Sequence, residues 1–287
     1  MSTSVRDSQD LMALSGSAAG AGAGGLRWRR VGGALYRRVG LPVLGVVIVV
    51  GFWWWATWYF EVRSIFLPSP PAIARSMHFN AAHLADQSWI TVYETLAGFG
   101  IGGVAGLLVA AGLATSQTLE RAALPIVVAL NAIPKVALAP LLIFWFGLGH
   151  APKIALAASI CFFPIMIATM AGLNSTPAEL GELARSLSAS RRQTFFKIRV
   201  PWALPQVFVG LKLGITLAVI GTVVGEMTRP NGGLGTVILN SQQTVNTPLA
   251  FAAIILLSII SISLFYTVVL AERRLLPWAQ ETTAART

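Results

Sequence analysis

Few side chains in this 287-residue sequence can do chemistry, and their surroundings divide them into two sets. Glu94, Asn131, Lys135, Lys212 and Glu226 sit inside otherwise apolar runs. Glu179, Glu182, Arg185, Arg191, Arg192, Lys197 and Arg199 lie together in a patterned polar stretch, residues 174–205. Neither set is a catalytic constellation. No nucleophile is matched with a base and an orienting group, so no catalytic residue is assigned. Cys161 is the single cysteine, which excludes an intrachain disulfide and a cysteine metal cluster. His78, His83 and His150 are scattered without metal-ligand spacing, so no metal site is expected. No G-x-x-x-x-G-K-S/T run is present, and none of the four lysines follows a glycine, so the chain has no phosphate-cradling loop of that kind. The run Asn231-Gly232-Gly233-Leu234-Gly235 follows an apolar helix rather than a strand, which argues against a nucleotide fingerprint.

The apolar context makes the isolated charges informative. A charge at a bilayer centre costs about 2.5–3.5 kcal/mol on insertion scales, so each one is paired or functional. Lys135 follows Pro134 and comes four residues after Asn131, on the same helix face. The two residues suit a path for an anionic or hydrogen-bonding solute; otherwise Lys135 pairs with Glu94 or Glu226. Lys212 lies about a third of the way along its run and reads as a structural, snorkelling lysine. Glu226 closes its run, as a gate or contact residue or as an interfacial carboxylate. Glu94 lies near the start of its run and reads as structural, with a place on the path as the alternative.

Composition agrees with a membrane chain. Hydrophobic residues make up 55%, charged residues only 11%, and the mean hydropathy is +0.70. Soluble domains carry about 25% charged residues, which argues against a soluble enzyme. Six runs are long enough to span: roughly 39–60, 89–114, 122–147, 154–173, 204–227 and 249–271. The expected fold is therefore all-α and polytopic. The organisation is a disordered, basic tail over 1–38, a six-helix domain over 39–273 and a tail over 274–287. The first run ends in Trp53, Trp54, Trp55, Trp58 and Tyr59, as an interfacial aromatic belt would, and reads as a retained helix rather than a cleaved signal. With the first terminus inside, fifteen of the twenty-one Lys and Arg residues fall in cytoplasmic segments and four outside, which places both termini in the cytoplasm. In that reading Lys153 and the 61–88 loop are external, and Thr236–Val245 is a short amphipathic helix at the outer surface. The net charge of +10 then reflects topology rather than nucleic-acid binding.

Gly98, Gly102 and Gly106 recur every four residues and allow a neighbouring helix to approach closely, within one subunit or across a dimer seam. Pro134, Pro140 and Pro164 are expected to kink their helices.

The stretch 174–205 is too long for a simple connection. Thr176-Pro177-Ala178-Glu179 reads as a capping box opening a helix. Ser190 is a candidate cap for a second helix, Arg191–Val200, expected to end at Pro201. The product is a helix-turn-helix knob shaped for a partner's groove. Its residues Glu182, Ala184, Ile198 and Pro201 match in register the EAA loop of ABC-importer permeases; Leu183 stands for its second Ala, Ser188 for its Gly and Val200 for its Leu. Leu67-Pro68-Ser69-Pro70, Gly98-Phe99, Ile133–Pro140, Trp145–Gly149, Gly225-Glu226 and Gly233-Leu234-Gly235 extend the match over residues 40–275. The chain resembles the nitrate, sulfonate, taurine and pyrimidine-precursor group of these permeases.

The resemblance implies a type I ABC-importer fold in a bacterial inner membrane. It implies a pair of permeases forming the path (a second copy of this chain, or a related one), two ATPase subunits that bind the ATP and Mg, and an extracytoplasmic solute-binding protein. Glu182 would then enter the ATPase groove, with Glu179, Ala184, Arg185, Leu187, Ser188, Ile198 and Pro201 shaping the contact. No cofactor is expected in this chain. The substrate leans toward an aromatic or pyrimidine-like solute, with sulfonates and nitrate as alternatives. The rival class is an ion-gradient-driven transporter using Glu94, Lys135 and Glu226.

Overall fold

The structure is a computed structural model that describes residues 41–278; the basic 1–38 tail and residues 279–287 of the terminal tail lie outside the described residues. The chain divides into two compact units, one up to Arg63 and the other from Ser64 onward. The first unit holds α1, Leu41–Tyr59. Trp55 stacks on Tyr59 at 5.2 Å between ring centroids, and Phe52 lies 5.8 Å from Trp55, so the aromatics gather at one end of the helix.

The second unit contains α2 (Pro70–Phe79), α3 (Ala81–Leu113), α4 (Gln117–Ala132), α5 (Ala139–Phe146), α6 (Ala151–Asn174), α7 (Ala178–Ser186), α8 (Arg191–Thr194), α9 (Val200–Thr228), α10 (Leu234–Gln243) and α11 (Thr247–Leu275). Helices α3, α6, the continuous rod Arg191–Thr228 and α11 are long and apolar enough to cross a bilayer. Helix α4 and the segment Lys135–Phe146 form a fifth span, bent by 76°. Six spans were expected; the apolar part of α1, Val43–Tyr59, is shorter than the others.

Helix α6 is the core of the second unit, packed against both α3 and α9, which also touch each other. Both neighbours approach it through glycine. A Cβ on Gly98 would lie 2.6 Å from Ala157 Cβ, one on Gly102 would lie 2.6 Å from Cys161 Sγ, and one on Gly106 would lie 2.9 Å from Phe162 O. The stripe thus packs within one chain. Helix α9 carries a second stripe that the sequence reading passed over. Cβ atoms on Gly210, Gly214 and Gly221 would lie 2.7 Å from Ala168 Cβ, 2.6 Å from Ile165 Cδ1 and 2.8 Å from Ala157 Cα. Small residues on both sides let the backbones meet where lipid gives helices no hydrophobic reason to associate.

Several local expectations are corrected. The 61–88 segment is not a loop: Pro70 and Pro71 open α2, and α3 already begins at Ala81. The 122–147 run is broken rather than kinked. Ile133 and Pro134 are extended (ψ 127° and 97°), because a residue before proline is pushed out of the helical region, while Pro140 sits in the first turn of α5. Gly147, at φ 74° and ψ −157°, then ends α5 in a region open essentially to glycine alone. The short helix after Gly233 spans Leu234–Gln243, two residues earlier than expected; Leu234, Val237 and Ile238 are buried while Asn240, Gln242 and Gln243 are exposed. Pro201 does not end a helix. It stands in the first turn of α9, directly after a wide π-type turn, Phe195–Arg199, which relieves the clash of a proline ring with the carbonyl four residues back.

The glycine contacts predict that Gly102→Val lowers stability by about 1–3 kcal/mol through overpacking. Gly100→Val should be near neutral, since nothing lies within 4 Å of a Cβ there. Thermal unfolding of the purified protein in detergent checks this; equal losses in the two variants would refute the packing account.

Candidate functional site

The knob is built from the end of α6 outward. Thr176 does not cap α7: its hydroxyl donates back to Leu173 O at 3.3 Å, and Pro177, extended at ψ 141°, occupies the capping position without a side-chain bond. The capping box lies one helix later. Ser190 Oγ accepts from Gln193 N at 3.2 Å, and Gln193 Oε1 accepts from Ser190 N at 2.8 Å. Between the two helices Ser188 adopts φ 53°, at a cost of about 1–2 kcal/mol relative to glycine. Ala184 is buried. Glu179, Glu182, Arg185, Leu187 and Ser188 are exposed, while Ile198 and Pro201 are half-buried. Leu187 is 73% exposed, an apolar side chain without a partner at the knob's tip.

Arg199 fastens the knob to the bundle, a role not read from the sequence. Its guanidinium donates to Leu173 O at 3.1 and 3.2 Å, to Ala114 O at 3.0 Å and to Asn174 Oδ1 at 3.3 Å. These carbonyls close α6 and α3, where unsatisfied acceptors and the negative helix ends favour a cation. Trp202 Nε1 donates to Ser175 O at 3.1 Å beside it. A cation directly before the Val200-Pro201 step was the available signal.

At the break in the bent span, Lys135 Nζ donates to Asn131 O at 2.8 Å and to Asn131 Oδ1 at 3.0 Å. It lies 4.7 Å from the Phe163 ring centroid, midway along α6. Asn131 and Lys135 therefore come together as expected from their spacing, on a partly open face. Lys135 pairs with neither Glu94 nor Glu226.

Those two carboxylates lie at the end of the bundle away from the knob, inside a polar cage. Glu94 Oε1 is 3.1 Å from Lys153 Nζ and 2.7 Å from His150 Nδ1, and Lys153 Nζ also donates to Gly232 O at 2.9 Å. Lys153, expected as an external loop cation, is instead 1% exposed within α6. Glu226 Oε1 accepts from Thr91 Oγ1 at 2.7 Å, and its Oε2 accepts from Gly235 N at 2.6 Å. Gln87 Oε1 accepts from Gly233 N at 2.6 Å, and Thr95 Oγ1 bonds Thr222 Oγ1 at 3.1 Å. Gly233, at φ 99°, lies so close to the Glu226 carboxylate that no side chain fits. The cage joins α3, α6, α9 and the turn into α10. Both carboxylates are fully buried, so in this conformation they hold helices and touch no open surface. Lys212 Nζ is paired with Glu272 of α11. Among the described residues, no group of His, Cys, Asp and Glu is arranged to hold a metal ion.

Comparison with known proteins matches residues 102–277 to the family described as binding-protein-dependent transport system inner membrane component. The riboflavin transport system permease protein RibX of Chloroflexus aurantiacus is 36% identical over 84% of this chain and 90% of its own length. The formylaminopyrimidine transport permease protein ThiX of Halalkalibacterium halodurans is 34% identical over 78% of this chain and 92% of its own. Among solved structures, an amino acid ABC transporter chain superposes with a TM-score of 0.57 at 17% identity, covering 69% of this chain and 97% of that one, a likeness of fold.

Removing one member of a buried ion pair strands the other and costs about 3–5 kcal/mol, so Lys153→Met is expected to destabilise by that order. The double variant Glu94→Gln/Lys153→Met should recover more than half of the loss. Unfolding midpoints of the three variants check this; additive losses would show that the two side chains are not energetically coupled.

Proposed function

The chain belongs to the family of binding-protein-dependent transport inner-membrane components, multi-pass permeases of ABC importers, and from that premise we propose that residues 174–205 are the handle through which partner ATPases move it. The observation that carries this reading is the exposed tip of the knob, with Glu182 and Leu187 outward, held on a base stapled by Arg199 to the ends of α3 and α6. Glu182 enters an ATPase groove, and Glu179, Arg185, Leu187 and Ser188 flank it. Ala184, Ile198 and Pro201 set the knob's shape from beneath. The knob end faces the cytoplasm, with both chain termini on that side. ATP and Mg bind the partner subunits.

Two copies of the chain enclose the path. Asn131 and Lys135 line it at mid-depth, where the broken span leaves a cation half open. The cage of Glu94, Lys153 and Glu226 closes the outer end, where a solute-binding protein delivers its cargo. The substrate class is a heteroaromatic, pyrimidine-like solute. An ammonium beside an exposed amide suits its ring acceptors, and the names of the riboflavin and formylaminopyrimidine permeases support the same class.

Glu182→Arg is expected to reduce solute-stimulated ATPase activity of the reconstituted assembly at least tenfold while membrane insertion stays normal. Unchanged stimulation would overturn the assignment of the knob. Uptake by the purified chain in liposomes bearing only an ion gradient would overturn ATP coupling and favour the gradient-driven class.

A further inference from the structure

A concavity lies on the flank of the knob, where α3 ends. It encloses about 980 Å³ between Ala111, Gly112 and Thr115 of α3 and the arginines Arg185, Arg191, Arg192 and Arg199. Phe195 and Phe196, packed edge to face at 5.2 Å, form its apolar wall. No carboxylate lines it. Arg199 is committed to helix-end carbonyls, but no ion pair among the described residues engages Arg185, Arg191 or Arg192. Three uncompensated guanidinium groups thus line the same concavity as the half-buried Phe195 and exposed Phe196 rings. They do so at the level where the apolar run of α3 gives way to the polar sequence after Leu113.

We propose that this concavity binds the phosphate headgroup of an anionic phospholipid from the adjoining leaflet. Guanidinium groups form forked hydrogen bonds to phosphate oxygens, which suits a phosphodiester better than a solvated counter-ion. Basic pockets beside membrane helices at the headgroup level are suited to anionic lipid. The phenyl wall and the small residues Ala111 and Gly112 give the first methylenes of the acyl chains an apolar surface, which free phosphate would not use. The cavity volume accommodates a glycerophosphate group. The lipid would brace the knob against α3 next to Arg199. The proposal needs that the chain spans a membrane; it shares Arg185 with the proposed ATPase contact, so Arg191 and Arg192, which that contact does not use, carry the test.

The test uses the full chain in nanodiscs containing equal phosphatidylcholine and phosphatidylglycerol, with retained lipid counted by native mass spectrometry. The expected result is phosphatidylglycerol enriched several-fold over phosphatidylcholine in the wild type and near parity in Arg191→Gln/Arg192→Gln. The matched charge loss Arg273→Gln/Arg274→Gln, at the exposed end of α11, should keep the enrichment. Equal enrichment in all three proteins, or equal loss in both variants, overturns the proposal. Displacement of the lipid by millimolar inorganic phosphate overturns the lipid as its occupant. Unchanged lipid retention with lost ATPase binding in Arg191→Gln/Arg192→Gln also overturns it and assigns the arginines to an acidic protein surface.

Discussion

Backbone-to-backbone contact along α6 is the constraint on which the rest of this bundle depends. In a hydrocarbon solvent, apolar helices gain nothing by hiding from their surroundings, so association needs close van der Waals contact or polar links. The chain uses both in sequence along one helix. Gly98, Gly102 and Gly106 of α3, and Gly210, Gly214 and Gly221 of α9, remove side-chain bulk over the middle of α6. At one end of α6 the contact is finished by the Glu94–Lys153 pair; at the other it is finished by the Arg199 guanidinium on Leu173 O. Apolar contact is unspecific about sliding along the helix axis. The polar links at the two ends fix that register.

Burying Glu94, Lys153 and Glu226 is tolerable only because each finds partners. Glu94 Oε1 has an ammonium and an imidazole, and Glu226 has a hydroxyl and a backbone amide. The arrangement also explains the glycine run after α9. Gly235 must present its N–H to the Glu226 carboxylate, and Gly233 must pass so near it that a Cβ is excluded. A motif that looks like a nucleotide loop is thus a backbone fitted around a buried carboxylate.

Much of this is legible in the sequence. The α3 stripe was visible because its three glycines keep strict four-residue spacing. The α9 stripe has a seven-residue gap between Gly214 and Gly221, filled by Ala218, and its pattern dissolves into an apolar run. The family likeness was carried by separated short motifs, and the Ser188 position, where the EAA pattern has Gly, does turn at positive φ. Lys153 was misplaced because its neighbours, Gly149, His150 and Pro152, read as a turn. Only the tertiary approach of Glu94, far away in sequence, draws it inward. Pro201 and Thr176 were misread through sound local rules. A proline can equally stand in a helix's first turn, here after a widened turn, and a Thr three residues before a Glu caps only if its hydroxyl is not already bonded to the helix behind it.

The same geometry limits how a push on the knob can travel. Helix α7 and the turn after it stand apart from the bundle, and it is the segment after them that Arg199 and Trp202 fasten to the ends of α3 and α6. From Arg191 to Thr228, however, the chain is one unbroken rod, passing from knob to cage without a loop that could absorb displacement. Close-packed interfaces of this kind do not deform smoothly; they shift between discrete arrangements. A rod anchored by Arg199 at its base and by Glu226 near its far end has the continuity to carry a displacement from one end to the other. The weakest contact on its route is the polar cage, because ion pairs and hydrogen bonds lose their geometry over tenths of an ångström while apolar contacts merely slide. The cage, rather than the glycine seam, is thus where a displacement begun at the knob would first break contact.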